Sequence, residues 1–70
     1  MNNKRFIDWL NNQLLQHNLF GTDLAAKIGV SNVTVWRWRN GHYTPSDQNF
    51  VAICDVFGVQ FSEILPLLCG

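Results

Sequence analysis

A short glycine-centred corner constrains this chain more than any other feature. Gly29-Val30-Ser31 separates two stretches, residues 22–28 and 32–39, each with apolar residues at helical spacing. Glycine readily adopts the left-handed backbone that ends a helix, and serine is a favoured cap for the next one. A connection this short forces two helices to cross in contact, so each must be apolar where they meet. Leu24, Ala25 and Ile28 supply that face on the first helix, and the small Ala25 suits a close crossing. Val35 and Trp38, with Val30 just before the helix, supply it on the second. The opposite side of the second helix carries Asn32, Val33, Trp36 and Arg37, extending to Asn40. It is therefore a polar and basic face on a helix whose other face is core.

The rest of the chain supplies elements to bury this pair. Residues 4–17 place Phe6, Ile7, Leu10, Leu14 and His17 three and four apart, the pattern of an amphipathic first helix. Asn18 is suited to close it in the left-handed conformation. Trp9 and Leu15 fall off this stripe, where they either widen the buried face or touch a partner. For the fourth helix, Thr44 is expected as the cap, Pro45 as the first helical residue and Asp47 as the reciprocal member of a capping box. Phe50, Ile53, Cys54 and Phe57 form its inner stripe, and Gly58 ends it. Phe61, Ile64, Leu65 and Leu68 predict a short fifth helix or turn, with Ser62 and Glu63 outward and Pro66 limiting its regularity. No segment sustains period-two alternation. The expected fold is all-α, a compact five-helix domain spanning residues 1–70.

Composition narrows the function classes. Of 70 residues, 47% are hydrophobic, which suits a globular domain near the lower size limit for a self-sufficient core. The longest apolar run, residues 64–69, is too short for a membrane span and contains a proline. Acidic and amide residues stand where a signal peptide would be apolar, so a cytoplasmic location is expected. His17, His42, Cys54 and Cys69 lack zinc-ligand spacing, so no metal or other cofactor is expected, and Cys54 reads as a buried thiol. Net charge is formally zero, but its distribution is uneven. Residues 24–46 hold Lys27, Arg37 and Arg39 and no acid; Asp8, Asp23, Asp47, Asp55 and Glu63 all lie outside.

Two helices meeting at a short glycine-containing turn, the second with a polar basic face, form the pattern of a helix-turn-helix, here about residues 22–40. Further along, Leu24-Ala25, Gly29-Val30-Ser31, Thr34-Val35, Arg37-Trp38, Gly41, Pro45, Ile53, Phe57-Gly58-Val59 and Ile64-Leu65 occur in an order and spacing that resemble the lambda-repressor-like and Cro-like domains. The resemblance covers about residues 10–65. It implies a five-helix domain that binds operator DNA, generally as a homodimer, with its third helix in the major groove.

On that reading the base contacts are Asn32, Val33, Trp36 and Arg37. Asn32 can pair with adenine, Arg37 can bond guanine O6 and N7 together, and Val33 suits a thymine methyl. Trp36 stands where the family usually has a small or polar residue. It can pack on sugar and thymine methyls, against Trp9, or against another subunit. Thr22, Ser31, Thr34, Asn40, His42 and Tyr43 are candidates for backbone phosphates, contacts that orient without specifying sequence. Residues 61–70 form a candidate dimerisation tail through Phe61, Ile64, Leu65, Leu67 and Leu68; the alternative is that Ile64 and Leu65 close the core.

Departures from the family pattern are concentrated in a few places. Phe20 replaces the usual cap before the second helix, so the cap is expected to move to Thr22. Gly21 replaces a glutamine that often contacts DNA. Arg39 and Leu14 replace a glutamate and an arginine that pair in some relatives, which leaves Leu14 free to be core and Arg39 free for solvent or phosphate. Three function classes follow. The first is a transcriptional regulator, most simply a repressor on a palindromic operator in double-stranded DNA. The second is a protein-interaction module, an antirepressor or antitoxin-like partner acting through Trp9, Trp36 and the apolar C-terminus. The third, an enzyme, lacks paired carboxylates, a nucleophile–base set and a phosphate-cradling loop. No small-molecule ligand is expected.

Overall fold

The computed structural model describes residues 4–69, and the side chains of residues 4–66. Five helices follow one another without a strand among the described residues: α1 (Lys4–Gln16), α2 (Gly21–Ile28), α3 (Asn32–Arg39), α4 (Asp47–Phe57) and α5 (Phe61–Cys69). α2 packs chiefly against α3 and α4, while α1 packs against α3 and α5. The helix-turn-helix pair is thereby held from behind on both sides.

One core joins all five elements. Phe6, Leu10 and Leu14 enter it from α1, Leu24 and Ala25 from α2, Val35 and Trp38 from α3, Phe50, Ile53, Cys54 and Phe57 from α4, and Ile64 from α5. No polar side chain is buried among the described residues, so the interior is stabilised by apolar burial and packing alone. Trp9 widens the buried face of α1. Its ring stacks on Phe50 at 5.8 Å and meets Phe57 edge-on at 5.9 Å. Leu15 points to solvent. His17 does not join the α1 stripe: it lies exposed in the turn after Gln16, its ring 5.2 Å from that of Phe57. Asn18 takes the left-handed conformation at φ 59°, as its side chain permits.

Two helix starts differ from the sequence expectation. α2 begins at Gly21, not Thr22, with Phe20 extended before it. A phenylalanine side chain accepts no hydrogen bond, so the cap is one-sided: the Phe20 N–H donates to Asp23 Oδ2 at 2.8 Å. α4 begins at Asp47, not Pro45, because Ser46 rather than Thr44 is its cap, with Ser46 Oγ accepting from the Asn49 N–H at 3.3 Å. Serine is the better cap of the two, and Asp47 then falls at the first position, where its charge suits the helix dipole. α5 runs through Pro66 as helix, although the proline forfeits one hydrogen bond.

Burial pushes the Cys54 thiol up from its ordinary value, with nearby Asp55 adding to the effect, so it stays protonated and unreactive. Among the described residues no helix is long and apolar enough to cross a membrane.

Two glycines after helices test how tightly the connections are held. Gly29 and Gly41 have nearly equal left-handed φ angles, 77° and 78°. A Cβ at Gly29 would meet nothing, whereas one at Gly41 would lie 3.0 Å from Ile7 Cδ1. Gly29→Ala should therefore destabilise by roughly 1–2 kcal/mol through backbone strain alone. Gly41→Ala should cost more, because the Ile7 side chain must also give way. Urea unfolding of both variants checks this; equal losses would show that Ile7 moves aside freely.

Candidate nucleic-acid interface

α3 owes its orientation to its ends and its inner face. Ser31 Oγ accepts from the Thr34 N–H at 3.1 Å and shares a 2.8 Å hydrogen bond with Thr34 Oγ1. At the other end the Asn40 side-chain amide donates to the Trp36 carbonyl at 2.8 Å. Between them, Val35 and Trp38 are 1% and 3% exposed, which anchors the helix to the core. Asn32, Val33, Trp36 and Arg37 are all exposed on its outer side.

Around that outer side the surface forms contiguous hollows. The first is an open cleft of about 510 Å³ between the first turn of α2 and α3, bordered by Phe20, Thr22, Asn32, Val33 and Trp36, with the buried Val35 also lining it. A second gathers Trp36, Arg37, His42 and Tyr43. A third brings Arg37 and Tyr43 together with Thr34 and the chain leading into α4. The four candidate base-reading residues and the candidate phosphate contacts Thr22, Thr34, His42 and Tyr43 therefore share one face. Ser31 and Asn40 stand at the two ends of α3 on exposed backbone, their side chains engaged in the capping bonds described above.

Aromatic contacts stiffen this face. The His42 ring stacks on Trp36 at 5.4 Å with 15° between the planes. Trp36 thus packs on the loop after its own helix and not on Trp9, which faces the core. The Arg37 guanidinium sits 5.4 Å over the Tyr43 ring, within cation–π range. These contacts cost the long side chains some freedom before any partner arrives, which lowers the entropy lost on binding.

Arg39 is not free. Its Nε donates to Asn11 Oδ1 on α1 at 2.7 Å. Its guanidinium also runs alongside Gly21, where a Cβ would lie only 3.2 Å from Nη1. The expectation of an unattached arginine is corrected: the neutral amide of Asn11 replaces the family's ion pair, and the missing side chain at residue 21 makes room. Lys27 and Arg37 complete the basic set of residues 24–46. Asp23, just outside, has its carboxylate occupied by the Phe20 N–H.

The α5 candidates divide. Ile64 is 4% exposed and belongs to the monomer's own core, so it has no surface to offer a second subunit. Phe61 is half-buried, edge-on to Phe50 at 5.6 Å, and Leu65 is exposed. The Leu67 and Leu68 side chains lie outside the described residues. Among the described residues no group of three or more His, Cys, Asp or Glu is arranged to hold a metal ion.

The order of the helices, the Gly29 corner and the exposed outer face of α3 define a helix-turn-helix domain. Residues 12–64 match the helix-turn-helix family of lambda-repressor type. An uncharacterized HTH-type transcriptional regulator of Methanocaldococcus jannaschii is 42% identical over 48 residues, covering 69% of this chain and 73% of the relative. No solved structure matches the chain. The chain belongs to the lambda-repressor-like helix-turn-helix family of transcriptional regulators.

The Asn11–Arg39 bond ties α1 to the end of α3 and makes a direct prediction. Asn11→Ala should lower stability by about 0.5–1.5 kcal/mol, the usual net worth of one hydrogen bond. Asn11→Asp should retain or exceed wild-type stability, because a carboxylate accepts the same bond with added charge. Thermal melting of the two variants distinguishes this pairing from a solvated arginine, for which neither would matter.

Proposed function

We propose that this protein is a sequence-specific repressor that binds a palindromic operator as a homodimer, reading bases with Asn32, Val33, Trp36 and Arg37 of α3. The observation that carries the reading is the division of α3: Val35 and Trp38 are buried while Asn32, Val33, Trp36 and Arg37, one polar, one methyl-bearing, one aromatic and one basic, are exposed. An eight-residue helix is about 12 Å long and fits the width of the major groove. Its N-terminal residues are those expected to reach base edges.

Thr22, Thr34, His42 and Tyr43 border the same face and suit phosphate contacts, with Ser31 and Asn40 offering exposed polar groups at the helix ends. One recognition helix covers only a few base pairs. A two-fold dimer would present two such helices roughly 34 Å apart, one turn of the duplex. The proposed interface is the apolar sequence of α5, with Phe61, Leu65, Leu67 and Leu68; repression then follows from occlusion of a promoter. A second reading, a protein-interaction module, draws on the exposed Phe20 and Trp36.

Selection from a random duplex library, then binding to the selected site at increasing salt, tests the proposal. With Lys27, Arg37 and Arg39 as the local cations, log K should fall against log salt with a slope no steeper than roughly −3 per protomer, and no steeper than twice that for a dimer. A slope near zero would favour the interaction module. Arg37→Ala should weaken the selected site by about 1–3 kcal/mol and relax preference at one base pair. An equal loss on every sequence would make Arg37 a phosphate contact instead. Sedimentation at micromolar concentration, with Leu65→Lys as the disrupting variant, checks the dimer; an unchanged sedimentation coefficient in the variant would refute the α5 interface.

A further inference from the structure

The cleft between α2 and α3 is unusual for a surface that meets nucleic acid, because its borders are largely apolar. Phe20 is 77% exposed, Val33 55% and Trp36 56%, and the three lie around one hollow with buried Val35 also lining it. Gly21 contributes no side chain. A longer residue there would enter the space that the Arg39 guanidinium and Val35 already approach within 3.2–3.4 Å of a notional Cβ. The cleft therefore exists because residue 21 is glycine, and it is apolar because residue 20 is phenylalanine.

The major groove offers this surface few apolar groups. Its base edges are dominated by oxygen and nitrogen atoms, and the one alkyl group among them is the thymine 5-methyl, which projects into the groove. We infer that the Phe20–Val33–Trp36 cleft receives thymine 5-methyl groups, and that this protein separates thymine from other pyrimidines by apolar burial more than by hydrogen bonds. The inference rests on the DNA-binding reading above and names what the cleft recognises there. Charge supports a nucleic acid occupant over an apolar protein segment. Arg39 lines the cleft, Arg37 adjoins it through the hollow at Trp36, and the nearest acid of α2, Asp23, is tied to the Phe20 N–H.

Phe20 is the residue that turns this into a clean test. It caps α2 without a side-chain hydrogen bond, and the Asp23 bond uses only its backbone. Phe20→Ala thus removes one wall of the cleft and leaves the cap intact. Trp36→Ala removes the other wall from an exposed position.

The experiment uses the full chain and duplexes selected from a random-sequence library, each thymine then being replaced singly by deoxyuridine, which differs only by that methyl. Loss of one buried methyl group should weaken wild-type binding about fourfold at one or two positions of each half-site. Phe20→Ala and Trp36→Ala should bind the thymine duplex more weakly and bring the thymine-to-uracil ratio at those positions close to one, with unchanged circular dichroism. Equal wild-type affinity for every uracil duplex, or a selected site without thymine, overturns the inference while DNA binding stands. A ratio that survives in both variants also overturns it, since the methyl is then read elsewhere. Failure to bind any duplex overturns the DNA-binding reading itself.

Discussion

The burial of Val35 and Trp38 is the interaction on which the rest of the structure depends. Both side chains leave α3 on one side and enter a core assembled with α1, α2, α4 and α5. A helix of eight residues has little stability by itself, so tertiary burial must hold it. Fixing those two residues also fixes the direction of the others. Asn32, Val33, Trp36 and Arg37 face outward because the 3.6-residue period leaves them nowhere else to point. The outer face is, in this sense, a consequence of the inner one.

Around this anchor, smaller devices set the geometry of the face. Gly29 turns the chain, Ser31 starts the helix and the Asn40 amide ends it. Arg39 reaches back to Asn11 and so links the far end of α3 to α1. Trp36 on His42, and Arg37 on Tyr43, settle the longest side chains against the loop that follows. The result combines few charges with a good deal of ordered apolar and aromatic surface. Such a surface gains little from long-range attraction and depends on close fit.

Much of this was legible in the sequence, and the exceptions have physical causes. The α3 boundaries and its two faces followed from Ser31 and from the spacing of Val35 and Trp38, since local capping and helical period both act there. The start of α4 differs from the sequence expectation because Thr44 and Ser46, two cap-competent hydroxyls, flank Pro45, and only packing selects between them. The start of α2 differs because backbone groups do the capping: the Asp23 N–H donates to the Phe20 carbonyl at 3.0 Å and the Phe20 N–H to the Asp23 carboxylate, so an apolar residue can occupy position 20. Arg39 to Asn11 spans 28 positions, a distance at which no periodicity carries information. The cleft beside Gly21 was not foreseen, although the signal was present: two adjacent departures from the family pattern, one apolar and one without a side chain, border the same space.

Amide chemical shifts during titration with a selected duplex locate the DNA-binding surface, proposed above as the outer face of α3 with the first turn of α2. Shifts should concentrate in residues 20–22, 31–37 and 42–43, with the inner residues of α4 nearly unmoved. Perturbations centred on α5 or on the outer side of α1, with residues 31–37 silent, would contradict it.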